Sequence, residues 1–112
     1  MSLYRMYAGD DGQSHVEKLD LAHHPELMEP RATTDIVFRE APPGRFSGWH
    51  RAPRRQYIFQ LSGDVEVGMG DGSTQRYRPG DVRLVEDLTG KGHTTRVVGD
   101  QPSITAVIPL AE

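Results

Sequence analysis

An all-β fold of short antiparallel strands, a barrel or a sandwich, is predicted by three observations. Twelve glycines and eight prolines are spread along the 112 residues rather than gathered into a linker, as many short strands joined by tight turns require. Successive segments alternate apolar and polar side chains with the two-residue period of a pleated strand. No segment longer than a turn or two repeats its apolar residues at the helical period of about 3.6. Leu19 to Met28 comes nearest, and Pro25 interrupts it.

The elements follow in order. Gln13 to Leu21 reads as an opening strand, with a loop at His23, His24 and Pro25 after it. In Ala32 to Ala41, Ile36, Phe38 and Glu40 point one way and Val37 and Arg39 the other, until Pro42, Pro43 and Gly44 stop the strand. Gln56 to Leu61 carries Gln56, Ile58 and Gln60 on one face and Tyr57, Phe59 and Leu61 on the other. Ser62-Gly63-Asp64 turns the chain, and Val65, Val67 and Met69 answer as the next strand. Asp71-Gly72 signals a hairpin of type I′, whose central residues both need positive φ. Beyond the Arg78-Pro79-Gly80-Asp81 turn come Val82 to Glu86, the Thr89 to Gly92 loop, His93 to Val98, and Ser103 to Leu110 with Pro109 at its edge.

Composition narrows the class. A chain of 112 residues is one domain by size. It has no cysteine, which excludes disulfides, thiolate metal sites and thiol nucleophiles. No apolar run approaches the ~20 residues that span a bilayer. Met1 to Asp10 lacks the basic-then-apolar plan of a signal peptide, so a cytoplasmic protein with no membrane partner is expected. The net charge of −3 argues against nucleic acid as a partner. Arg51, Arg54 and Arg55 form a small basic cluster beside Pro53, but no aromatic residues interleave with them.

Two stretches carry the chemistry. Gly44-x5-His50-x-Ala52-x3-Gln56-x6-Gly63 has the spacing of a metal-binding strand pair, and Arg78-Pro79-Gly80-Asp81 leads on to a second histidine, His93. Together they resemble the two motifs of the cupin superfamily: G-x5-H-x-H-x3-E-x6-G, and a Pro-Gly-Asp turn followed by a histidine. The chain is similar in particular to small single-domain bacterial cupins. That resemblance implies a double-stranded β-helix, the cupin jelly roll, over 1–112, with 1–31 an N-terminal strand and loop arm and 32–112 the barrel. It also implies a pocket inside the barrel, lined by His50, Gln56, Ile58, Gln60 and His93, and a homodimer in which the N-terminal strand crosses to the partner's sheet. Exposed strand edges give such pairing a physical motive.

The departures from the motif matter as much as the matches. Metal-bearing cupins are implied to use two histidines and a glutamate from the first motif and a histidine from the second. Here Ala52 replaces the middle histidine and Gln56 the glutamate, and the second motif lacks its usual proline and has two extra residues before His93. His50, Gln56 and His93 would form a degenerate site for one divalent ion (iron, nickel, manganese or zinc). All three ligands are neutral, so the ion's charge would need Glu86 or a substrate carboxylate to balance it. Both a bound metal and its absence stay open at this stage.

Without metal, His50 and His93 can pass protons with Glu86 as base or orienting partner, and Gln56 and Gln60 can donate to a carbonyl or oxyanion. Arg39 or Arg96, if turned inward, would hold a carboxylate. The sequence thus supports an enzyme acting on a small carbonyl- or carboxylate-bearing metabolite by isomerase, lyase or dioxygenase chemistry. It equally supports a small-molecule-binding cupin with no chemistry of its own.

Overall fold

A computed structural model describes residues 1–111 and resolves them into ten strands. These are β1 (Leu3–Ala8), β2 (Ser14–Leu19), β3 (Val37–Ala41), β4 (Phe46–His50), β5 (Gln56–Ser62), β6 (Asp64–Gly68), β7 (Thr74–Tyr77), β8 (Val82–Glu86), β9 (His93–Val98) and β10 (Ser103–Pro109). Two short 3-10 turns, Leu21–His23 and Pro25–Met28, lie between β2 and β3. The strands form a six-stranded sheet in the order β2-β1-β8-β5-β10-β3 and a four-stranded sheet in the order β4-β9-β6-β7. All pairings are antiparallel except β1 with β8.

Alternation explains most of these elements. In β6, Val65 and Val67 are buried while Asp64, Glu66 and Gly68 are only half-buried, so one face meets the opposite sheet. Met6, Val65, Val67, Met69, Tyr77, Val85 and Val97, drawn from both sheets and their turns, form one apolar cluster with Ala52. Each such aliphatic side chain contributes about 1.5–3 kcal/mol on leaving water.

Several expectations are revised. The opening strand is the shorter Ser14–Leu19, because the Asp20 side chain accepts from the Ala22 amide and starts the first 3-10 turn. The segment read as a strand from Ala32 begins only at Val37, and as an edge strand it leaves both of its faces largely exposed. The hairpin at Asp71-Gly72 is not type I′. Only Gly72 has positive φ, at 88°, and the Met69 amide bonds the Ser73 carbonyl at 2.9 Å around a loop of Gly70, Asp71 and Gly72. That is a type I turn followed by a left-handed glycine. Asp71 accepts from the Ser73 hydroxyl and amide, which hold its carboxyl below the usual range. Alternation does not announce β1, and β4 is announced only by the spacing of the Gly44 to Gly63 motif.

Candidate functional site

The two motif histidines meet. His50 ends β4, His93 begins β9, and the two are register partners across the sheet. Their rings lie 4.4 Å apart between centroids, tilted by 59°. Both line a cavity of about 90 Å³ between the sheets, together with Ala52, Pro53, Gln56, Ile58, Val67, Arg83, Val85 and Thr95. The β5–β8 register accounts for four of these ten residues: Gln56 pairs with Val85 and Ile58 with Arg83.

Each ring has one nitrogen committed. His50 Nδ1 lies 2.7 Å from the Gly48 carbonyl oxygen, and an oxygen of that kind can only accept, so Nδ1 carries the proton. His93 Nδ1 lies 2.6 Å from Asp87 Oδ2, which also accepts from the Ser14 hydroxyl at 2.6 Å. The ring nitrogen is therefore the donor there too, and Nε2 is the free nitrogen of both imidazoles. Asp87 has no exposed surface, and its Oδ1 has no partner among the described residues. His93 is 6% exposed, whereas His50 opens to solvent.

The carboxylate expected beside His93 was Glu86, and the structure places Glu86 elsewhere. It sits on the outer face of β8 with Leu84, in a depression shared with Glu17, Leu19 and Leu27, and pairs with Arg5 and with Arg55. Asp87, one residue later, turns inward, and its carbonyl accepts from the Ala52 amide at 3.1 Å, tying β8 to the first motif. Along β8 the inward set is Arg83, Val85 and Asp87, and Glu86 lies on the opposite face with Leu84.

Gln60 also departs from expectation. It shares a face with Gln56 and Ile58 but lies beyond the cavity, 1% exposed. Its Nε2 donates to the Ser62 and Gly63 carbonyls and the Ser103 hydroxyl at 2.9–3.1 Å, and its Oε1 accepts from Arg83 Nη1 at 3.3 Å. Gln60 thus positions Arg83, the inward arginine that the sequence did not single out. Arg83 is 6% exposed and stacks over the Tyr77 ring at 4.6 Å. Burial pushes its guanidinium down to about 10, so it stays a cation at neutral pH. Of the two arginines considered earlier, Arg96 covers Phe46, and Arg39 lines a neighbouring recess of about 150 Å³ that also reaches Arg45, Arg83 and Thr95. The other histidines, His15, His23 and His24, each meet a nearby acidic side chain away from the cavity.

No protein-family model and no curated protein matches the chain. Solved structures do. A double-stranded β-helix protein from Klebsiella pneumoniae is similar at TM-score 0.55 and 22% identity, over 72% of this chain and 75% of that one. A cupin 2 conserved barrel protein from Salinispora arenicola is similar at TM-score 0.53 and 22% identity, over 68% of this chain and 62% of its own. The polyketide cyclase RemF from Streptomyces resistomycificus is similar at TM-score 0.59 and 17% identity, over 96% of this chain and 73% of that one. The fold is the cupin double-stranded β-helix.

Cupin metal chemistry needs a donor set, and this cavity offers a poor one. Its possible donors are Nε2 of His50, Nε2 of His93 and the Gln56 amide oxygen, all neutral. Among the described residues no group of three or more His, Asp or Glu side chains is placed to hold a metal. Arg83 adds a fixed positive charge to the same cavity wall, which opposes a second cation in a small space between the sheets. Ala52 and Gln56, however, both face the cavity where the cupin motif carries histidine and glutamate. The double change Ala52→His, Gln56→Glu should therefore raise nickel or zinc affinity by about 10² or more, since it adds one imidazole and one anionic oxygen. Calorimetric titration measures this; an unchanged affinity would mean that positions 52 and 56 do not converge with His50 and His93.

Proposed function

We propose that this cupin moves a proton on a small carbonyl-bearing metabolite held between the two sheets. His93 is the base and Asp87 its orienting partner. The observation that carries this reading is the buried Asp87 Oδ2 to His93 Nδ1 contact of 2.6 Å, which leaves Nε2 of a cavity-lining imidazole free. A base held in one tautomer by a carboxylate is the arrangement that general base catalysis exploits. Nε2 takes a proton from the carbon next to the carbonyl, the C–H electron pair moves through to the carbonyl oxygen as an enolate forms, and the amide of Gln56, which lines the same cavity, donates to that oxygen. His50, when its ring is protonated, returns a proton. Isomerisation, epimerisation and dehydration all begin this way.

The test needs no known substrate. Short 2-oxo and 3-oxo acids are incubated with the protein in deuterium oxide, and loss of the α-proton signal is followed by NMR. Exchange at least about 10² faster than buffer is expected, returning to the buffer rate in His93→Gln. A second reading, a binding cupin without chemistry, is favoured by Ala52 and Gln56 standing where the motif carries ligands. Saturable binding with no exchange across the panel would select it over catalysis.

We also propose a homodimer. Strands β3 and β4 are sheet edges, and Phe38, Phe46 and Trp49 on them are exposed, which unpaired edges of this kind disfavour in a lone chain. Sedimentation at the mass of one chain would remove that proposal.

A further inference from the structure

A buried cation that no carboxylate touches points to a ligand that brings one; Asp81 acts on Arg83 only through space, and Glu40 lines the adjoining recess. Among the described residues Arg83 is paired with no carboxylate; its one hydrogen bond goes to the neutral Gln60, and its remaining face lies on the Tyr77 ring. No acidic side chain lines the cavity, because Asp87 stands behind His93. An outer depression of about 690 Å³ shares His50, Ala52 and Pro53 with the cavity and adds Arg51 and Lys91, again with no acidic side chain. The chain as a whole carries a net charge of −3, so this positive path does not merely reflect composition.

We infer that the cavity is a carboxylate subsite, with Arg83 receiving the carboxylate and the rest of the ligand reaching past His50 and His93 toward the mouth. A guanidinium presents parallel N–H donors that match the two oxygens of a carboxylate, and such a pair strengthens in a site shielded from water. About 90 Å³ is close to three water volumes of ~30 Å³ each, which suits a carboxylate on a short carbon body better than a sugar or a nucleotide. Gln60, held by three contacts through its Nε2, fixes the guanidinium before the ligand arrives. Combined with the proton-transfer reading on which it rests for its chemistry, this makes the substrate a short oxo or hydroxy acid. The binding itself does not depend on that chemistry.

The experiment is a titration in low-chloride buffer with acetate, pyruvate, acetamide, methyl pyruvate and inorganic phosphate, followed by calorimetry and by the ring signals of His50 and His93. Acetate and pyruvate should saturate and move both rings, and the two uncharged analogues should bind at least about tenfold more weakly. Arg83→Lys keeps the charge but loses the fork, and should weaken pyruvate about tenfold. Arg83→Met should weaken it about 100-fold while still unfolding cooperatively, since the loss of a buried charge offsets the acceptor that Gln60 Oε1 leaves without a donor. Equal binding of charged and neutral analogues, or full pyruvate affinity in Arg83→Met, would overturn the subsite. Phosphate binding more tightly than the carboxylates would overturn the carboxylate assignment. The two proposals fail separately: carboxylate binding without proton exchange removes only the catalysis, and exchange that ignores Arg83 removes only the subsite.

Discussion

Replacing Asp87 by alanine is expected to abolish α-proton exchange and to destabilise the fold together, whereas Asp87→Asn is expected to separate the two effects. Asp87 is fully buried, and its Oδ2 serves both the Ser14 hydroxyl and His93 Nδ1. Alanine leaves both donors buried without an acceptor, at about 1–3 kcal/mol each. Asparagine offers a carbonyl oxygen in the same place, so its loss of stability should stay near 1–2 kcal/mol. It cannot offer the negative charge that stabilises His93 once the ring has taken a proton, and exchange should fall on the order of 10²–10⁴. The nitrogen signals of His93 supply a readout that does not depend on turnover. The parent should hold the Nδ1–H tautomer, and Asp87→Ala should let the ring move toward the other. Unchanged exchange in Asp87→Asn, together with an unchanged tautomer in Asp87→Ala, would reduce Asp87 to a packing role.

That Asp87 escaped the sequence, while His50 and His93 did not, has a physical cause. Turn residues and strict spacing announce themselves locally, so the Gly44 to Gly63 motif, the Pro79-Gly80 turn and strands β5, β6, β9 and β10 could be read from the letters. The orientation of β8 could not. Four of its five residues are buried, because it lies between β1 and β5 and its outer face is covered by Leu19, Leu27 and their neighbours. A strand buried on both faces loses the polar-out signal that sets phase. Apolar Val82 and Leu84 therefore carry no sign that they face outward, and the inner row holds Arg83 and Asp87. Strand β1 was hidden for a related reason. Its register partners on one side are residues 82–86 in a parallel pairing, a contact that no local turn can announce. Strand β4 is an exposed edge containing Gly48, so it has no buried face to alternate.

Gly92→Ala carries the second large effect, and it tests how the two histidines are brought together. Gly92 has φ of 80° and precedes His93 directly. A methyl group there would overlap the His50 carbonyl and approach the Arg51 amide nitrogen at 2.9 Å. Both neighbours are backbone, so neither can swing aside as a side chain would. The left-handed conformation alone costs about 1–2 kcal/mol for an alanine, and displacing the end of β4 adds to it, for an expected total of about 3–5 kcal/mol. The loop itself has little freedom to absorb the change. The Lys91 amide bonds the Gly12 carbonyl at 2.9 Å, and the Lys91 ammonium lies 4.1 Å over the Trp49 ring, so the loop is held at both the β1–β2 turn and β4. Gly48→Ala is the control, since that glycine lies within β4 with ordinary φ and open space around its missing methyl; it should change stability by no more than about 0.5 kcal/mol. Urea unfolding of both variants, with the His50 and His93 ring signals recorded on the folded protein, measures the difference. If Gly92→Ala kept the parent's stability and ring signals, the close approach of this loop to β4 would not be what holds the imidazoles 4.4 Å apart. Their pairing would then have to come from the β4–β9 register alone.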